Sequence, residues 1–125
     1  MGAENSPVSL LAAGLRAFFR LAEEWRLTEA EQLVLLGCHL AFDLSNWRQG
    51  DVGSADADTL QRVSYLLGIY QAIHTLLPDP VRANGWIRKA NTAPLFHGES
   101  ALSRMLKGGT TDLQAVRAYL DAQLM

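Results

Sequence analysis

Apolar residues recur every three or four positions through most of the chain. Between Val8 and Trp25, Leu11, Leu15, Phe18, Phe19, Ala22 and Trp25 form one stripe, with Arg16, Arg20, Glu23 and Glu24 mostly off it. That spacing predicts an amphipathic helix. A second helix is expected after Thr28-Glu29-Ala30-Glu31, where the threonine hydroxyl can cap and Glu31 can reach back. It should run through Leu36 and stop at Gly37, since glycine tolerates the left-handed conformation. Leu40 to Arg48 reads as a third helix, ended by Gly50. Residues 49–57 are polar and contain glycine, and read as a linker or long turn.

The pattern resumes in the second half. Asp58 is expected to cap a long helix from Thr59 to Leu77, with Leu60, Val63, Leu67, Tyr70, Ile73 and Leu77 inward and Leu66 and Leu76 widening the face. Pro78 ends it. Asp79-Pro80 restarts a helix to about Ile87, with aspartate as cap and proline at the first helical position. Residues 88–98, containing Asn91, Pro94 and Gly98, read as an ordered loop. A short helix from Ser100 to Lys107 is stopped by Gly108-Gly109. Thr111 or Asp112 then caps a last helix carrying Leu113, Val116, Tyr119 and Leu120 inward. No stretch alternates with a period of two and β-branched enrichment, so no strand is expected. The predicted fold is all-α: a helix-turn-helix-like three-helix module over residues 8–50, then a helical module over 58–125.

With 125 residues, 49% of them apolar, the chain can fill one core or two small ones. No apolar run approaches the roughly 20 residues of a membrane span. Met1 to Pro7 is polar and lacks a signal-peptide pattern, and the single cysteine, Cys38, allows no intramolecular disulfide. A cytoplasmic location is therefore expected. Net charge is −2 but uneven: residues 1–55 hold four Arg and seven Asp/Glu (4 − 7 = −3), and residues 56–125 hold seven Lys/Arg and six Asp/Glu (7 − 6 = +1). Neither half is a strongly basic nucleic-acid binder.

The sequence offers little for catalysis. His39, His74 and His97 fit no common zinc spacing, and adjacent Cys38 and His39 make a poor ligand pair. His74 reads as a half-buried packing residue and Cys38 as a structural thiol, with nothing nearby to lower its pKa. Gly108-Gly109 lacks the lysine-serine pair of a phosphate loop. No enzyme, metal or cofactor is expected.

Two constellations suit binding. The capped helix 29–36, the Gly37 turn and the helix near 40–48 outline a helix-turn-helix. Leu33, Leu36, Leu44 and Trp47 would then be core, and Ser45, Asn46, Arg48 and Gln49 would face a DNA groove. A plain three-helix packing unit remains the alternative, because that helix has Asp43 and one cation, Arg48. In the second half Arg82, Arg88 and Lys89 surround Trp86 ahead of Asn91 and Pro94. They suit a nucleic acid or an acidic protein face, or else form a solvated rim around a core tryptophan.

Arg62-Val63-Ser64-Tyr65-Leu66-Leu67-Gly68-Ile69-Tyr70, Leu76-Leu77-Pro78-Asp79-Pro80, Gly85-Trp86-Ile87-Arg88-Lys89-Ala90-Asn91, Pro94-Leu95-Phe96, Ser103-Arg104-Met105-Leu106 and Val116-Arg117-Ala118-Tyr119-Leu120 follow in one register. Over residues 59–122 the chain resembles the Xre/MbcA/ParS-type antitoxins. In its front half, Leu36-Gly37 and Trp47-Arg48-Gln49-Gly50 resemble the degenerate helix-turn-helix of that family.

The resemblance implies an antitoxin, encoded beside a toxin gene, that neutralises the toxin by direct binding. Partner toxins of the family carry a RES fold and degrade NAD or use it for ADP-ribosylation. The back domain binds the toxin, its C-terminal region covering or entering the active-site cleft. On that reading Trp86, Arg88, Lys89, Asn91, Phe96, Arg104 and Met105 belong to the toxin-binding module. The front domain is implied to dimerise and to bind operator DNA, giving autoregulation, as a homodimer or within a toxin–antitoxin hetero-oligomer. The competing function is a stand-alone helix-turn-helix transcriptional regulator.

Overall fold

The computed structural model of the protein describes residues 7–125, with side chains from Ser9 onward, and is all-helical. Its helices among the described residues are α1 (Pro7–Glu24), α2 (Glu29–Leu36), α3 (Ala41–Arg48), α4 (Ala57–Leu76), α5 (Pro80–Trp86), α6 (Ala101–Met105) and α7 (Thr110–Gln123). A 3-10 turn at Pro94–Phe96 lies between α5 and α6. The polar stretch before Pro7 lies outside the described residues. The chain forms two compact units, one ending at Ser64 and the other spanning Tyr65–Met125, so the division falls inside α4.

In the first unit the α1 stripe is core: Leu11, Leu15, Phe18, Leu21, Ala22 and Trp25 are all buried. Arg26 takes a left-handed φ of 55°, and Leu27 N–H donates to Ala22 O at 2.9 Å, which closes the helix end and turns Leu27 inward. The capping box on α2 forms as its residues require. Glu31 N–H donates to Thr28 Oγ1 at 3.1 Å, and Thr28 N–H donates to Glu31 Oε1 at 2.8 Å. Gly37 ends α2 at φ 64°. Leu44 and Trp47 anchor α3, which packs on α1.

Residues 49–57 are an ordered turn rather than a loose connection. Val52 is buried, Trp47 Nε1 donates to Ser54 Oγ at 2.8 Å, and Asp51 N–H donates to Asn46 O at 2.9 Å. A lone valine among glycines and aspartates has no periodicity, so only its burial reveals this role. Helix α4 also starts earlier than the sequence suggests, at Ala57. Its cap is Asp56, whose Oδ1 accepts from Thr59 N–H at 3.0 Å, while Asp58 pairs with Arg62 at 2.8 Å. Either aspartate satisfies the cap preference; the buried Thr59 hydroxyl, which donates to Asp56 Oδ1 at 3.1 Å, fixes which one is used.

In the second unit Leu66, Ile69, Ala72 and Ile73 of α4 are buried with Ile87, Leu102, Met105, Leu113, Val116 and Leu120. Asp79 caps α5, accepting from Val81 N–H at 3.1 Å, and Ser100 caps α6, accepting from Ser103 N–H at 3.0 Å. The cap of α7 is Gly109, not Thr111 or Asp112. Asp112 sits in the first turn instead, and its Oδ2 accepts from Gly109 N–H at 3.1 Å.

Candidate functional site

The second unit offers a built surface: the loop between α5 and α6, and a groove beside it. The loop is held by its own backbone. Asn91 N–H donates to Glu99 O and Gly98 N–H to Asn91 O, both at 3.0 Å. Ala93 N–H donates to Asn91 Oδ1 at 2.9 Å, and an isolated bridge pairs Ala90 with Ser100. Such a turn needs left-handed residues, which His97 (φ 51°) and Gly98 (φ 82°) supply. Asn91, singled out in the sequence, is thus the residue that closes the loop.

Phe96 pins the loop to the core. It is buried, its ring meeting Trp86 edge-on at 6.0 Å and Tyr119 edge-on at 5.1 Å. Edge-to-face pairs of this kind contribute roughly 0.5–1.5 kcal/mol beyond area burial. Arg104 ties the same loop to α7. Its Nε donates to Asp112 Oδ1 at 2.9 Å, and its Nη1 donates to Leu95 O at 3.3 Å. Met105 is fully buried.

The seven residues singled out for toxin binding therefore occupy three kinds of place. Phe96 and Met105 are core. Asn91 and Arg104 are half-buried and shape the loop. Trp86 is half-buried, and Arg88 and Lys89 are exposed at the start of the loop.

Beside the loop, Trp86 forms one wall of a groove of about 280 Å³. The other walls are Ile73 and Leu76 from the end of α4, Leu77 just after it, and Tyr119, Leu120 and Gln123 from α7. No Asp, Glu, Lys, Arg or His lines it. No spacing along the chain gives the groove as a unit, although Ile73, Leu77, Tyr119 and Leu120 fall at positions expected to face inward. The available signal was the width of the α4 face: Leu76 beside Leu77 is more than a single apolar stripe needs.

Other chemistry is sparse. His74 is half-buried, tilted against Tyr70 at 4.1 Å, with Nε2 2.9 Å from Asn84 Oδ1. Burial pushes the Cys38 thiol above its ordinary value, and its Sγ donates to Leu40 O at 3.3 Å. A thiol so held is a packing group. Among the described residues no three of His, Cys, Asp and Glu lie together as a metal site, and no helix is long and apolar enough to cross a membrane.

In the first unit, Ser45, Arg48 and Gln49 are exposed and Asn46 is half-buried, at the end of α3. Arg48 lies 5.1 Å over the Phe19 ring, and its Nη2 donates to Gln32 Oε1 at 3.2 Å. The turn before α3 and its first residues present Leu40 (59% exposed) and Phe42 (73% exposed). Recognition helices usually read bases from that N-terminal end, and here it is apolar.

Residues 72–124 match the model of the antitoxin Xre/MbcA/ParS C-terminal toxin-binding domain. The chain is also 40% identical over 119 residues to the uncharacterized protein y4oB of Sinorhizobium fredii, covering 95% of this chain and 90% of that relative. No solved structure matches it.

Proposed function

This chain belongs to the Xre/MbcA/ParS antitoxins, with their toxin-binding domain at residues 72–124, and we propose that the toxin it neutralises is a RES-type enzyme that degrades NAD or uses it for ADP-ribosylation. The protein acts by binding, its C-terminal region lying over the toxin's active-site cleft. The observation that carries this reading is the family match, which falls on the loop and groove described above. The physics supports it. A loop already ordered by Asn91, Phe96 and Arg104 loses little freedom on docking, so more of the contact energy appears as affinity. Arg88 and Lys89, exposed at the loop's start, suit encounter with an acidic face.

Co-expression with the protein encoded beside this chain, one partner tagged, tests the proposal. A stable complex is expected, and stoichiometric addition should abolish that protein's consumption of NAD. A toxin left fully active by a stoichiometric amount of this protein would overturn the reading.

A second reading, operator binding by the first unit with autoregulation, rests on the α2–turn–α3 arrangement. It adds to toxin binding, and operator contact would come through Ser45, Asn46, Arg48 and Gln49. Arg48→Ala should then weaken specific binding by about 1–3 kcal/mol, as measured by titration of the upstream duplex.

A further inference from the structure

We propose that the groove between the end of α4, Trp86 and α7 is the anchoring seat for the toxin, and that it receives a bulky apolar side chain projecting from the toxin surface. The inference rests on the antitoxin reading and adds the place and chemistry of the contact. Every residue of the groove lies between Ile73 and Gln123, inside the toxin-binding domain.

Size and lining decide the occupant. At about 280 Å³ the groove falls just below the roughly 300–1,000 Å³ of small-molecule pockets. It holds no charged side chain to orient a nucleotide or another charged ligand. Leucine and isoleucine walls with an aromatic on either side, Trp86 and Tyr119, fit an apolar knob. Tryptophan and tyrosine are also the residue types that dominate interface energetics when they line desolvated pockets.

The apolar surface continues past the groove. Leu124 lies four residues after Leu120, still in helical conformation, and is 43% exposed. A partner seated in the groove would cover it as well.

The walls are held from behind. Phe96 buttresses both Trp86 and Tyr119 through edge-on contacts, so the two aromatics are set before any partner arrives. A pre-set pocket of this kind is where a truncation on either side of an interface is felt most.

The test uses the full chain and the purified protein encoded beside it, by calorimetric titration and by amide hydrogen exchange of the complex. Leu76→Asp places a charge on a half-buried wall, and Gln123→Trp fills the groove from its exposed rim. Each should weaken binding at least tenfold, with Gln123→Trp retaining wild-type helicity and thermal midpoint. In the wild-type complex, amides 73–77 and 119–124 should slow in exchange. If Gln123→Trp binds as the wild type does, or protection appears elsewhere in 72–124 but not in those segments, the groove is not the seat and the antitoxin reading stands. If the wild type does not bind, both fall together. The exchange measurement decides the matter even where Leu76→Asp fails to fold.

Discussion

Arg104 touches both the loop and the start of α7, through Leu95 O and Asp112. The ion pair is largely shielded, its side chains 26% and 17% exposed. Exposed pairs contribute roughly 0–1 kcal/mol, whereas hydrogen bonds to charged groups contribute about 1.5–3. Arg104→Ala should therefore lower stability by about 2 kcal/mol in urea unfolding, with the slope unchanged. By contrast Arg117→Ala, which removes an exposed pair with Asp121, should cost less than about 1 kcal/mol. The sequence marked Arg104 as important but could not say for what, since its partners lie eight and nine residues away on different elements. Phe96 and Met105 were marked with the same signal and proved to be buried. A motif names the residues that matter to a module without separating those that hold it together from those that face outward.

At the scale of elements, local chemistry sets most boundaries. Gly37 shows why. Its φ of 64° suits glycine, and a Cβ there would lie 2.7 Å from Arg62 Nε. Gly37→Ala should cost about 1–2 kcal/mol from the left-handed backbone alone, and thermal unfolding measures it. A second effect concerns acid. Thr59 N–H donates to the Asp56 carboxylate and holds its pKa below the ordinary 3.8. A lowered folded pKa means the ionised cap stabilises the fold above the unfolded value, and that contribution fades as pH falls through the folded one. Asp56→Ala should thus cost about 1 kcal/mol at neutral pH. The gap between variant and wild type should close below about pH 4; a gap that stays constant through that range would remove the cap's role. The caps Thr28 and Asp79 were legible because each acts within three residues of itself. Asp56 and Gly109 were not, because more than one nearby residue suited each cap.

Across the whole molecule, charge is divided unevenly. The first 55 residues carry −3, and α3 holds one cation, which is stacked on Phe19 and bonded to Gln32. Since each neutralised phosphate contributes about −0.9 to the salt slope, operator binding by this protein should show a shallow slope between 50 and 200 mM salt. Anisotropy titrations with the upstream duplex measure it, and a slope steeper than about −5 would mean cations beyond those of the first unit are engaged. Toxin binding asks nothing of that charge, because its domain is a different part of the chain.

The sequence by itself determined the helical class, nearly all helix positions, the stops at Gly37 and Pro78, and the kinship with antitoxins. These depend on periodicity, local caps and residue order, all short-range properties that survive in one dimension. Tertiary structure alone decided that Val52 and Ser54 tie the 49–57 turn to α3, that Asn91 and Arg104 build the loop, and that Trp86 and Tyr119 wall a groove with the end of α4. Those roles depend on burial and on partners distant along the chain, which no spacing rule records.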